Sequence, residues 1–488
     1  MKKILLISAS ITLLTASLCI SCSKETIDDS SQVNLPTDEE VVSVKVRSDI
    51  KEGDDFNVSK EQALIYAQSF KGREKVSSID TYLYEGIPTL YVINFEKGWM
   101  VIPTDARIQT VLGESEEDSI NVNEIDNDGI KAWLDLSAEY VFKVKNGLTE
   151  VDGTDNLKIW EDVSSAVQSN SNALRGPISP DPDWVRITTV STNVETAANQ
   201  DHLLQTKWGQ RYPWYCSLPY DPHYYIEYNT IDTFLTGCVP TAVSQVLYYY
   251  HNETGYPNDF YYSVDGYISQ DFGNYTYKIG INMNPQSPVA NSSRWNSMPL
   301  TSNDSGNFSY VSDLMMVVGY RMNATYSAGA TSASMLLPSD VAPCGITSNS
   351  YYYTYETVRD NIVNRKPVLI TATHANHFSH GWVIDGCVDI TTTTTTTSTY
   401  SRYQSGISYS SEAEFLSNEE VMAMYPDAYD GMTIVTNDSV YNKYLLMNWG
   451  YDGNHDTGHY AIIPSGNEWL GYTNTACIIY DISTSQLN

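Results

Sequence analysis

The sequence predicts an α+β protein in two ordered units, a small one over residues 56–149 and a larger one over residues 201–488. Three observations lead there. Tyr occurs 38 times, among runs of Ser, Thr and Asn, a composition suited to strands joined by polar loops. The larger unit holds one convincing helix, "CVPTAVSQVLYYYH", in which Val239, Val243, Val246, Leu247 and Tyr250 recur at helical spacing. Short β-rich runs make up much of the rest, and 488 residues with 42% hydrophobic content supply cores for more than one domain.

Residues 1–21 read as an export segment. Lys2 and Lys3 precede the apolar "ILLISASITLLTASLCI", too short for a membrane span, and small residues lead to Cys22. Ser21-Cys22 before "SKETIDD" resembles a bacterial lipoprotein signal, in which Cys22 becomes the lipidated first residue, although Cys19 stands where that signal usually has Leu. Ordinary secretion is the alternative. Lys24-Glu25 resembles a surface-export tag, so the expected location is the outer membrane or cell surface. Residues 22–55 are acidic and polar and read as a tether.

The small unit opens with a capping box, Ser59 followed by Gln62, ahead of a helix with Ala63, Tyr66, Ala67 and Phe70 on one side. "TLYVINFEKGWMVIPTD" then reads as a hairpin around Glu96-Lys97-Gly98, "IQTVLGES" as another strand, and "IKAWLDLSAEYVFKVK" as a closing helix. Residues 150–200, rich in Asp, Ser, Asn and Pro, read as an exposed connector open to proteolysis. Within the larger unit, "TTTTTTTSTYSRYQSG" from Thr391 is of low complexity and reads as part of a mobile surface insertion at about 390–440.

Charge narrows the function. With 28 Lys and Arg against 59 Asp and Glu, a net of -31 repels nucleic acid and anionic membrane surfaces. Five cysteines follow Cys22: Cys216, Cys238, Cys344, Cys387 and Cys477. An odd count in an exported chain leaves one thiol unpaired, and their spacing fits neither zinc nor a compact disulfide framework.

Cys238 is the thiol placed for chemistry. Gly237 permits a sharp turn and Pro240 suits a first helical turn, so Cys238 sits at a helix N-terminus, where free N–H groups favour the nucleophilic thiolate. A packing role is the competing reading. A thiolate needs a proton partner, and "THANHFSHGWVIDGC" offers His374, His377 and His380. His380 lies 142 residues after Cys238 and opens a β-rich run, with "RKPVLITAT" reading as the neighbouring strand. A metal site is disfavoured, because no Glu, Asp or Cys stands nearby at a spacing that completes a tetrahedral set. In "YLLMNWGYDG", Asn448 ends a strand and its amide oxygen could accept from the imidazole, with Trp449 shielding that bond; a turn Asn and a core Trp are the plainer readings.

"TGCVPTAVSQVLYYYHNETGYP", "HGWVIDG" and "NWGYDG", in that order, resemble the streptopain family of papain-clan cysteine peptidases. "TKWGQRYPWYCSLP", "SRWNSMP" and "VSDLMMVVG" extend the likeness, and "TLYVINFEKGWMVIPTDAR" is similar to the family's inhibitory propeptide, so the resemblance spans most of residues 58–475. It implies a papain-like domain, a nucleophile-bearing helix on an antiparallel sheet, preceded by a small α+β propeptide. Cys238 would be the nucleophile, His380 the base, Asn448 the group orienting it, and Gln210 an oxyanion donor, with Gly237 and Trp449 in support. The resemblance implies a zymogen inhibited by its own propeptide, a preference for an apolar residue two positions before the scissile bond, protein or peptide substrates and no cofactor.

The sequence departs from the family pattern at three places. Tyr451 stands for a Trp, Gly381-Trp382 for Ala-Phe, and Asn448 lies 68 residues after His380 where the family has a short link. A silent papain-like surface lipoprotein that binds without cleaving is the alternative function.

Overall fold

In the computed structural model the described residues are 56–70, 75–151, 153–175, 183–218, 233–254, 266–272, 275–281, 292–327, 330–373, 379–405, 407, 409, 413–461 and 476–484. The export segment, the tether, His374 and His377 lie outside them.

The small unit forms as its sequence suggests. Helix α1 (Lys60–Ser69) starts at Ser59, whose hydroxyl accepts from the Gln62 N–H while the Gln62 side chain accepts from the Ser59 N–H, at 3.1 and 2.7 Å. Strands β1 (Val76–Tyr84), β2 (Ile87–Phe95), β3 (Trp99–Pro103) and β4 (Gly113–Ser115) form an antiparallel meander. Helix α2 (Asp128–Lys145) follows, capped by Asn127, whose side-chain oxygen accepts from the Gly129 and Ile130 N–H groups.

Residues 150–200 correct the expectation of an exposed connector. They carry helix α3 (Thr154–Arg175) and the 17-residue strand β5 (Trp184–Gln200). Ile159, Trp160 and Val163 of α3 are buried with Val58, Tyr66, Phe70 and Ile93 of the small unit. In β5 the branched residues of "WVRITTVSTNV" prefer extended backbone and outweigh the polar composition.

The larger unit begins its helical layer with α4 (Cys238–Thr254), followed by α5 (Phe308–Arg321) and α6 (Tyr355–Val363). Strands β6 (Gly266–Phe272), β7 (Tyr275–Ile281), β8 (Thr325–Ser327) and β9 (Ala330–Ser332) make a minor sheet in the order β7-β6-β8-β9. The remaining strands are β10 (Ile346–Tyr352), β11 (Val368–Thr373), β12 (Ser379–Arg402), β13 (Ala413–Leu416), β14 (Met432–Asn448), β15 (His459–Tyr460) and β16 (Ala476–Thr484), with helix α7 (Asn418–Met424) after β13.

One 12-stranded sheet joins both units in the order β1-β2-β3-β4-β15-β14-β12-β11-β16-β10, with β5 pairing both β12 and β13 off this path. The seam is β4 on β15, Gly113 opposite Tyr460 and Glu114 opposite His459. The core is continuous as well: Trp99 and Trp133 of the small unit share a cluster with Val239, Val243, Trp382 and Trp449. Each such fully buried apolar side chain contributes about 1.5–3 kcal/mol.

The threonine run is also a correction. Thr391–Thr397 lie inside β12, paired to β14 on one side and β5 on the other, and form the arm of a sheet instead of a mobile loop. Threonine is β-branched, so a run of it favours strand even where composition alone suggests disorder. Thr392, Thr394 and Thr396 alternate inward, as a period-two strand requires.

Candidate active site

Gly237 adopts φ +90°, and a Cβ there would lie 2.8 Å from the Thr331 methyl, so only glycine allows the chain to turn into α4 at this point. The first turn is then locked by Thr241, whose N–H and hydroxyl both donate to the Gly237 carbonyl, at 3.1 and 2.8 Å. Cys238, 8% exposed, is the first residue of α4, with its thiol at the positive end of the helix dipole.

His380 enters from strand β12, where it is paired with Ala372 of β11 and has no exposed surface. The thiol of Cys238 interacts with its ring. Burial opposes the charged imidazolium, but the hydrogen bond and charge of Cys238, the charge of Asp128 and the Trp449 carbonyl outweigh it, so the His380 pKa is raised. His380 Nε2 lies 3.1 Å from the Trp449 carbonyl oxygen, which fixes the ring and leaves Nδ1 for the thiol. Trp382 stacks on the imidazole at 5.7 Å and Tyr451 tilts against it at 5.6 Å. Two of the three family departures therefore flank one ring.

Asn448 does not orient the imidazole. Its Oδ1 accepts from Gln245 Nε2 at 2.8 Å and its Nδ2 donates to the Thr206 carbonyl at 2.7 Å. Gln245 Oε1 in turn accepts from the Trp208 N–H at 3.2 Å. The Asn448 side chain thus ties the end of β14 to α4 and to the segment before Trp208, and the acceptor for His380 is the backbone carbonyl one residue later. Nor does the Trp449 ring shield an Asn–His bond; it packs on Trp382 and Tyr460.

Gln210 is buried at 8% exposure, and its Nε2 has no hydrogen-bond partner among the described residues. Its carbonyl accepts from the Thr236 N–H at 3.2 Å, which attaches it to the chain two residues before Cys238. A buried amide donor left open is costly unless an acceptor arrives to use it.

Three further residues bear on the site and carry no motif of their own. Asp128, the first residue of α2, accepts a hydrogen bond from the Tyr451 hydroxyl and contributes its charge at His380. Gly129 abuts the Trp449 ring so closely that a Cβ would lie 2.3 Å from Cε3. Asn127 Nδ2 donates to the Asn454 carbonyl at 3.1 Å. The N-terminus of α2 thus sits against the same Trp449–Asn454 loop that holds the imidazole. An acidic stretch before a helix suggests a cap, but a partner 252 residues away leaves no local trace.

Of the other thiols whose side chains are described, Cys344 and Cys387 are buried and their pKa values are pushed up by burial to about 12 and about 11, whereas Cys216 is exposed. The first two are poor nucleophiles.

The sequence pattern of the Peptidase C10 family matches residues 208–460, a span that holds Gln210, Cys238, His380 and Asn448. The chain belongs to this family. It is a cysteine-type peptidase that hydrolyses peptide bonds, in line with the streptopain likeness of its motifs. No curated protein matches it closely enough to be counted a relative. Among solved structures, a fragment of prointerpain A from Prevotella intermedia is similar at 17% identity and a TM-score of 0.43, covering 82% of this chain and 98% of its own. The active interpain A cysteine protease of the same organism gives 17% and 0.32, covering 57% and 93%.

Proposed function

We propose that this cysteine peptidase is an endopeptidase made as an exported zymogen, with Cys238 as nucleophile and His380 as its general base. The observation that carries the pair is the buried His380 ring where α4 begins: Cys238 raises its pKa, Trp449 already holds Nε2, and Nδ1 has no hydrogen-bond partner among the described residues. The Cys238 Sγ attacks the peptide carbonyl, and His380 takes the thiol proton and gives it to the leaving amine as the C–N bond breaks. Water, deprotonated by His380, then attacks the thioester, releasing the acid and restoring the thiol. The Cys238 N–H and Gln210 Nε2 meet the oxyanion, each donor contributing about 2.7–4 kcal/mol to the transition state.

The small unit is the inhibitor. Its helix α2 sets Asp128 and Gly129 against the Trp449–Asn454 loop beside His380, and that docking next to the imidazole supports the reading. The larger sheet extends through it, so it docks as part of the fold and not as a loose lid. Cys22 carries the lipid that holds the precursor at the membrane. Cys238→Ala abolishes hydrolysis and leaves the precursor uncleaved; a variant that still processes itself refutes the nucleophile. Cys22→Ala moves the protein out of the membrane fraction, and an unchanged distribution refutes anchoring.

A further inference from the structure

The loop after β14 is unusual in its backbone. Between Trp449 and Asp456, Gly450, Asp452, Gly453 and His455 all have positive φ, from +57° to +79°. Asp452 and His455 bear side chains there, a conformation that costs of order 1 kcal/mol or more each and persists only where surroundings enforce it. What closes this loop is a side chain. Asp456 Oδ1 accepts from the Trp449 N–H at 3.0 Å, seven residues back. The same residue, Trp449, presents its carbonyl to His380 Nε2 at 3.1 Å on its other side. One residue is therefore held between a buried carboxylate and the imidazole.

We propose that Asp456 is a positioning residue for the peptidase reaction: by fixing the Trp449 N–H it aims the Trp449 carbonyl at His380, and so sets the ring's orientation toward Cys238. This deepens the Cys238–His380 reading and rests on it. Asp456 never touches substrate and acts only through the loop.

The surroundings offset only part of what it costs to bury a carboxylate there. Burial pushes the Asp456 carboxyl up to about 7, the Trp449 N–H and the charges of His202 and Lys207 pull it down, and Asp385 raises it. His202 Nδ1 pairs with Asp385 Oδ1 at 2.8 Å, and Asp385 Oδ2 accepts from the Leu204 N–H at 3.0 Å. Asp385 lies on β12, five residues after His380. The segment 201–207 therefore links the strand bearing His380 to the loop bearing Trp449. Lys207 also lies along Gly453, where a Cβ would be 2.6 Å from its Cδ.

The test uses the full chain after activation, comparing wild type, Asp456→Ala and Asp456→Asn. The readouts are kcat and KM on a peptide substrate, and the pH profile of Cys238 alkylation by iodoacetamide. Asp456→Ala should lower kcat on the order of 10²-fold, the scale for misplacing a catalytic group by about 1 Å, with KM changed far less. Its alkylation profile should move to higher pH, because a freed imidazole supports the thiolate less well. Asp456→Asn keeps an acceptor for the Trp449 N–H and should retain kcat within about threefold and the wild-type profile. It also keeps the size of the side chain and its acceptor oxygen, so it folds where the alanine variant fails. A folded Asp456→Ala with wild-type kcat and profile overturns the proposal. So does a folded Asp456→Asn whose profile shifts as far as that of a Cys238 partner mutant, His380→Ala. Wild-type enzyme in which Cys238 is never alkylated sinks the underlying pair instead, which keeps the two failures apart.

Discussion

The Tyr451 hydroxyl donates a hydrogen bond to the Asp128 carboxylate, joining the first turn of a helix in the small unit to the ring that packs on His380. Hydrogen bonds to a charged partner contribute about 1.5–3 kcal/mol. Asp128→Asn should therefore loosen the small unit and speed conversion of precursor by about tenfold at neutral pH. Gly129→Ala should act in the same direction, since its Cβ would collide with the Trp449 ring. A time course of precursor loss on a denaturing gel checks both, and unchanged rates would show that α2 does not guard the site.

Gln210→Ala tests the oxyanion donor. The open Nε2 makes no bond that the fold would miss, so the melting temperature should stay near wild type. Activity should nonetheless fall by about 10²–10³ in kcat. Loss of stability without that fall would assign Gln210 to packing.

His202 gives a pH-dependent contribution to stability. Burial lowers its pKa, but Asp385, followed by Asp456 and Asp201, raises it from 6.5 to about 9. A raised histidine pKa means the folded state holds the proton more tightly than the unfolded one. The stabilisation is thus complete below about 6.5 and is lost as pH rises through about 9. Melting curves of wild type and His202→Gln should differ most below pH 6.5 and converge above pH 9.

Of the three clustered histidines, only His380→Ala should eliminate turnover. His374→Ala and His377→Ala should retain it, and the comparison is made on an activated enzyme with one peptide substrate.

The sequence carried much of this site. Cys238 could be placed at a helix start because Gly237 and Pro240 mark one, and His380 because a buried strand follows it at once. The partner of the imidazole was not legible, since a backbone carbonyl has no residue signature, and the neighbouring Asn448 offered a plausible side chain that the fold spends on Gln245 and Thr206. Asp128 and Asp456 escaped for a related reason: their roles arise from loop closure and from a docking between units, neither of which has a spacing. In the fold, α1 was readable from its capping box. Strand β5 was hidden by the Asn, Ser and Pro that surround it, and β12 by a threonine run whose monotony masks a strong strand preference.

Strand β5 has a consequence for where the finished enzyme begins. It lies between β12 and β13, matched to β12 from Trp184 opposite Arg402 to Gln200 opposite Cys387, and β13 has no other partner in the sheet among the described residues. A cut after Gln200 would strip a strand from the middle of three and orphan β13; a cut before Trp184 would leave all of it standing. The new N-terminus should therefore fall ahead of Trp184, as N-terminal sequencing of the activated protein would read directly. By that boundary the link between the two units divides, α3 going with the small unit on which it packs and Trp184–Gln200 with the peptidase, so that the arm they help build would outlive the proposed processing.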